Sequence, residues 1–203
     1  MNSIIDSLDS RILVLDGAMG TMIQSYNLDE NDFRGNKFKN HKSPLKGNND
    51  LLSITKPEII KEIHKGYLDA GADIIETNTF SSTSIAMEDY DMQDYVYDLN
   101  FESARIAKEL AKKYSTKKYV AGAIGPTNKT ASMSPDVNDP GFRAITFDEL
   151  VDTYTEQVRG LVDGGCDMLL VETIFDTLNA KAALMSISNY FEENKINLPL
   201  MVS

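Results

Sequence analysis

Two Glu-Thr pairs stand where an apolar run stops. Glu172-Thr173 closes the stretch Cys166-Asp167-Met168-Leu169-Leu170-Val171, and Glu76-Thr77 closes a shorter one, Ile74-Ile75, 96 positions earlier. A carboxylate and a hydroxyl at such a place can hold an ammonium group or accept hydrogen bonds from a small polar ligand. The likeness runs further back. Gly66-Tyr67-Leu68-Asp69-Ala70-Gly71-Ala72-Asp73 matches Gly160-Leu161-Val162-Asp163-Gly164-Gly165-Cys166-Asp167, and the second strand carries two extra residues. Glu76-Thr77-Asn78-Thr79-Phe80 mixes an acid, two hydroxyls, an amide and an aromatic, which is poor core but a good small pocket. A third polar tip, Asp16-Gly17-Ala18-Met19-Gly20-Thr21, follows the apolar segment Arg11–Leu15. Its glycines let backbone N–H groups approach a ligand, although Asp-Gly after a strand is also an ordinary tight turn. Two nearby carboxylates can also signal acid–base chemistry.

Positioning these tips falls to alternating strands and helices. Residues 3–10 read as a leading helix and Arg11–Leu15 as a strand. Thr55 and Glu58 predict a capping box around Pro57, ahead of a helix that buries Ile59, Ile60, Ile63, Tyr67 and Leu68 and ends at Gly71. Helices over Tyr95–Tyr114, Thr146–Val162 and from Asp176 through Phe191 are expected in turn, with Thr146 and Glu149 forming a second capping box and Asp176 a cap. Tyr119–Pro126 reads as a third strand, rich in small residues, and Pro199–Ser203 begins a fifth.

Two polar stretches interrupt this order. Residues 25–55 make a long excursion, the kind that is usually functional or mobile, with Leu51-Leu52 turning back to the core. Residues 127–145 are a second loop, a candidate lid. His41 is expected in solvent and His64 as a partly buried packing residue. Cys166 begins the fourth strand, away from the rim, and reads as a buried structural thiol.

The net charge of −11 argues against nucleic acid as a partner. No run of about 18 apolar residues occurs, so no membrane span is expected. The first residues lack the basic and apolar regions of a signal peptide. A single cysteine excludes an internal disulfide and fits a cytoplasmic location.

Strand and helix alternating four times, with a last strand, give a parallel α/β sheet. Five strands fit either an open flavodoxin-like sheet or the first five of a (β/α)8 TIM barrel. The halt within an apolar strand favours the barrel, incomplete at this length, with strands two and four sharing parity.

Asp16-Gly17-Ala18-Met19-Gly20-Thr21, Glu76-Thr77-Asn78-Thr79-Phe80, Gly125-Pro126-Thr127 and Val171-Glu172-Thr173-Ile174-Phe175-Asp176 together resemble the homocysteine-binding domain of the homocysteine S-methyltransferase family. Gly47-Asn48-Asn49-Asp50-Leu51-Leu52 and Lys129–Asp136 are most similar to the N-terminal module of cobalamin-dependent methionine synthases. The resemblance runs from about Ile12 to Ser203 and implies one homocysteine-binding domain over 1–203, with the C-terminal barrel strands absent. It implies methyl transfer to the homocysteine thiol to form methionine, with methylcobalamin recharged from methyltetrahydrofolate on other modules. It also implies zinc held by three cysteines, expected beyond residue 203, so that this chain alone is expected to be inactive. A betaine- or S-methylmethionine-dependent enzyme, or a non-catalytic open α/β binding module, are the alternatives.

For the homocysteine ammonium the resemblance assigns Glu172. Bonding of Glu172 to nearby backbone or to an internal Lys or Arg is the structural alternative. Backbone groups of Gly17, Ala18 and Met19 are candidates for the substrate carboxylate, and Asp16 orients the turn or meets the ammonium. Glu76, Thr77 and Asn78 are expected to line the pocket. An incomplete barrel also predicts exposed strand edges.

Overall fold

The computed structural model describes residues 4–203. Helices α1 (Ile4–Ser10), α2 (Met19–Gln24), α3 (Glu30–Arg34), α4 (Leu52–Thr55) and α5 (Pro57–Asp69) precede strand β1 (Ile74–Glu76). Then come α6 (Ser84–Met87), α7 (Val96–Ala111), β2 (Tyr119–Ile124), α8 (Phe147–Asp163), β3 (Met168–Val171), α9 (Thr177–Asn194) and β4 (Leu200–Val202). Residue 3, the expected start of the leading helix, lies outside the described residues.

The four strands are parallel and stand in chain order, β1-β2-β3-β4. The flavodoxin-like alternative requires the first strand to sit inside the order, so sequential order rejects it and matches an unclosed segment of a (β/α)8 barrel. Arg11–Leu15 does run beside β1, but as a single parallel bridge from Leu15 to Ile74 and not as a regular strand. Among the described residues it has a partner on one side only. Ile12 and Val14 are exposed, so little burial holds the segment to the sheet.

Alternate strand residues serve two different layers, as the period of two demands. Ile75, Val120, Ile124, Leu169 and Val171 pack under α7, α8 and α9 with Ala107, Leu150, Tyr154, Val158, Leu161 and Ala183. Ile74, Tyr119, Ala121, Met168 and Leu170 face the other way, toward Ile4 of α1 and the partly buried Leu13, Leu15 and Met201. All the long helices after β1 therefore cover one face, which is the outside of the curving sheet. At the β4 edge, Leu200 and Val202 on the outer face are exposed.

The sequence repeat has a structural counterpart. Asp73 accepts the Val14 N–H at 3.0 Å and pairs with Arg11 at 2.8 Å. Asp167 accepts the Val120 N–H at 2.9 Å and pairs with Lys108. Each carboxylate thus stitches its own strand to the preceding one. Gly71 and Gly165, two residues before each, take φ of +110° and +94°, which a residue with a Cβ adopts only at a cost.

The excursion over 25–55 is more ordered than its composition suggests. Phe33, Phe38, Leu45, Leu51 and Leu52 are buried with Ile60, Ile63, Val96, Leu99 and Ile106 in a second core. Three further expectations are corrected. Thr55 does not cap α5: it ends α4, its hydroxyl bonds back to the Leu51 carbonyl, and Lys56 occupies the cap position without a side-chain bond. His41 is half-buried, with Nε2 2.8 Å from the Tyr90 carbonyl oxygen and its ring edge-on to Phe38. His64 is wholly buried rather than partly so. The Thr146–Glu149 capping box forms, and Asp176 caps α9.

Candidate functional site

A cavity of about 630 Å³ opens at the carboxyl ends of β1 and β3. Asp16, Gly17, Ala18, Met19, Glu76, Thr77, Asn78 and Glu172 all line it. Ladder register explains why the two glutamates converge. Glu76 is level with Ala121, and Ala121 with Met168. Glu172 lies an even number of residues beyond Met168, so both side chains leave the sheet on the inner face. The backbone of Glu172 is pinned from both sides of the sheet. Its N–H donates to the Ile124 carbonyl, and the next N–H, of Thr173, to the Ser203 carbonyl. Thr173 has φ of +58°, a region β-branched residues avoid, directly after the acid.

The carboxylates are unequal. Asp16 accepts the Glu76 N–H through both oxygens, at 3.0 and 3.1 Å. Among the described residues the carboxylates of Glu76 and Glu172 have no hydrogen-bond or ion-pair partner, and no Lys, Arg or His lines the cavity. The internal-cation alternative for Glu172 is therefore not what the structure contains. Burial, opposed by the Glu76 N–H and reinforced by the Glu76 and Glu172 charges, pushes Asp16 up to about 8. Burial and then the Glu172 charge push Glu76 up to about 7. Burial alone raises Glu172. Three acids that resist ionisation in one pocket have the chemistry to seat a cation, because a cation restores what desolvation removed.

The other polar tips differ in what they leave open. The N–H groups of Gly17, Ala18 and Met19 engage no acceptor among the described residues. The Thr77 hydroxyl is consumed by the Thr79 hydroxyl at 2.6 Å and the Ala123 N–H at 2.9 Å. Asn78 donates to the Asn49 carbonyl at 2.8 Å and its N–H to Ser103 Oγ at 2.7 Å. Thr77 shapes the wall with a hydroxyl already engaged, whereas Asn78 commits its two donors and its Oδ1 accepts no hydrogen bond among the described residues. Gly125 has a separate duty: a Cβ there would lie 2.3 Å from the Phe80 carbonyl oxygen. Only glycine lets the Phe80 turn rest on the end of β2.

Part of the wall comes from the excursion: Gly47, Asn48, Asn49 and Asp50, with Met87 and Tyr90 beyond. Asp50 was not among the candidate site residues. The only available signal was the density of amides and acid in Gly47–Asp50, since its partners are far off in sequence. Asp50 is buried, accepts from the Ser81 N–H at 2.8 Å and the Ser82 hydroxyl at 2.9 Å, and is pushed up to about 6 by burial against those bonds.

The second loop is anchored at its near end. Ser132 donates to Asp176 through its N–H at 3.0 Å and its hydroxyl at 2.6 Å, and Asn179 accepts the Ala131 N–H at 2.9 Å. Cys166 is buried beside β3, pushed up to about 12 chiefly by burial, and does not line the cavity. Among the described residues no group of three His, Cys, Asp or Glu side chains could hold a metal ion. None of the described helices is long and apolar enough to cross a membrane.

Comparison with known proteins agrees with the fold. The family profile of homocysteine S-methyltransferase matches residues 13–203. The metallated form of the homocysteine methyltransferase MmuM from Escherichia coli is similar, with a TM-score of 0.70 and 21% identity over 93% of this chain and 63% of that one. Its oxidized form gives 0.69 and 21% over 94% and 63%, and its apo form 0.63 and 19% over 97% and 61%. At that identity the likeness establishes the fold. The chain spans about 63% of the length of this neighbour.

Proposed function

The chain belongs to the homocysteine S-methyltransferase family, and we propose that its rim cavity seats the amino-acid end of homocysteine, whose thiol takes a methyl group to give methionine. One observation carries the reading: Asp16, Glu76 and Glu172 face one cavity that no basic residue lines. Glu172 and Asp16 take the ammonium, with Glu76 alongside. The open N–H groups of Gly17, Ala18 and Met19 take the substrate carboxylate, so that opposite charges of one small zwitterion meet opposite partners. Thr77 and Asn78 hold the wall in place. Methyl transfer to a thiolate needs no general acid, so the carboxylates bind and orient.

The family resemblance implies zinc as the thiol activator. The described residues do not fit such a site: Cys166 is buried, its thiol is held protonated, and it lies outside the cavity. The part of this chain is therefore to grip and aim the amino acid. For the donor we propose methylcobalamin, recharged from methyltetrahydrofolate on other modules; the likeness of Gly47–Leu52 and Lys129–Asp136 to the cobalamin-dependent members supports it.

Isothermal titration of the intact protein with homocysteine tests the substrate, and a binding isotherm is expected. Absence of heat at millimolar ligand would sink the reading. Turnover with methylcobalamin, and none with betaine or S-methylmethionine, is expected for the donor; the opposite pattern overturns the donor assignment alone.

A further inference from the structure

Asp50 presents a carboxylate oxygen that the fold does not use. Oδ2 takes both bonds of the side chain, from the Ser81 N–H and the Ser82 hydroxyl. Oδ1 has no hydrogen-bond partner among the described residues, and Asp50, a residue only 6% exposed, lines the cavity. Oδ1 is not sealed off from solvent, so a ligand entering the cavity can offer it a hydrogen-bond donor.

That oxygen belongs to a different part of the cavity from the acid set. Asp16 is bonded to Glu76, whereas Asp50 is bonded to Ser81 and Ser82, and its turn reaches Met87 through Asn48 Nδ2. The cavity, at about 630 Å³, is also larger than a small amino acid fills. Room and an unspent acceptor occur together.

The geometry points to Asp50 as a specificity-determining contact for the second reactant: Oδ2 fixes the strand-end loop, and Oδ1 takes an N–H or cationic group of the methyl donor. This rests on the methyl-transfer reading above and extends it to a residue outside the amino-acid grip. The Asn48 and Asn49 segment supports the placement. Asn48 accepts the Leu51 N–H at 3.2 Å, and the Asn49 carbonyl accepts from Asn78 at 2.8 Å, so the turn carrying Asp50 is fixed at both sides.

Asp50→Asn separates the two duties. The amide oxygen still accepts from Ser81 and Ser82, while the amide nitrogen places a donor where Oδ1 offered an acceptor. Ser82→Ala does the reverse, loosening the loop and leaving Oδ1 intact. The intact protein is assayed with homocysteine and whichever of methylcobalamin, S-methylmethionine and betaine the wild type uses. Asp50→Asn is expected to raise the KM for that donor about tenfold or more, with the Kd for homocysteine within about twofold. Ser82→Ala is expected to leave the donor KM within about twofold. An unchanged donor KM in Asp50→Asn overturns the inference, as does an equal rise in both variants. A zinc-loaded wild type with its cobalamin and folate modules that turns over none of the three donors overturns the methyl-transfer reading instead. If Asp50→Asn fails to fold, the Ser82→Ala result decides, since a tenfold rise there marks Asp50 as a loop anchor only.

Discussion

The Asp16 carboxylate accepts the Glu76 N–H through both oxygens, 3.0 and 3.1 Å away, and so substitutes for a missing ladder bond at the sheet edge. The first segment pairs with β1 only at Leu15. One step later the side chain takes over from the backbone. A residue proposed to meet the ligand therefore also ties the first rim tip to the second.

Ligand binding should release protons. Burial pushes Asp16 up to about 8 and Glu76 up to about 7, so at neutral pH these acids hold part of their proton complement. An ammonium among the three acids favours their charged forms and lowers those values. Calorimetric titration at pH 7 in two buffers of different ionisation enthalpy should show about one proton released per homocysteine bound. Proton uptake, or none, would place the ammonium elsewhere.

The stability that Asp16 and Glu76 contribute to the free protein should fall as pH rises from about 4 toward 8. For an acid whose folded value is raised, the folded state binds more protons than the unfolded state across the window between the two values. The slope of unfolding free energy with pH is then negative there. Asp16→Asn keeps an oxygen for the Glu76 N–H but removes the titrating group. Thermal melting between pH 6.5 and 8 should show a flatter profile in this variant than in the wild type. An unchanged slope would mean that Asp16 ionises freely.

Glu172→Gln should weaken homocysteine binding about 10- to 100-fold, the usual effect of losing a charge-assisted bond. Its Tm should hold or rise, because the wild-type carboxylate has no partner to lose among the described residues. Unaltered affinity in a folded variant would remove Glu172 from the grip.

Much of this site is legible along the chain because the signal is local. Apolar runs that stop at Glu76 and Glu172 announce strand ends, and the parity of the inner face follows from the period of two. The family resemblance rests on the same tips. Asp50 is not legible, since its partners Ser81 and Ser82 lie 31 and 32 residues away. The weak first strand is equally hidden, as pairing at an edge depends on neighbours in space. Thr55 and Glu58 have the spacing of a capping box, yet the preceding turn had already become α4 and claimed Thr55 as a helical residue. For His64, an amphipathic stripe predicts packing but not what lies behind its rim.

Gly125→Ala should lower the Tm by several degrees and weaken ligand binding with it. The new Cβ would meet the Phe80 carbonyl oxygen at 2.3 Å, a rigidly held atom against backbone, with no flexible side chain end to yield. Overpacking of this kind costs about 1–3 kcal/mol. The displaced segment, Glu76–Phe80, is the cavity wall, so melting and affinity should change together. A variant with wild-type affinity would show that the wall does not depend on this contact.

His64→Leu should stabilise the protein, most of all in mild acid. Both ring nitrogens are buried without a hydrogen-bond partner among the described residues, and burial pushes the imidazole down to about 4. Between about 4 and the ordinary histidine value the unfolded chain binds a proton that the folded chain refuses. The His64 contribution to wild-type stability therefore drains away as pH falls through that window. Leucine removes both that drain and two unsatisfied polar atoms, and replacement of an unpaired buried polar group by an apolar one is neutral to stabilising. Denaturant unfolding at pH 5 and pH 7.5 should give a larger gain at pH 5, and a loss at both would show that the imidazole is satisfied after all.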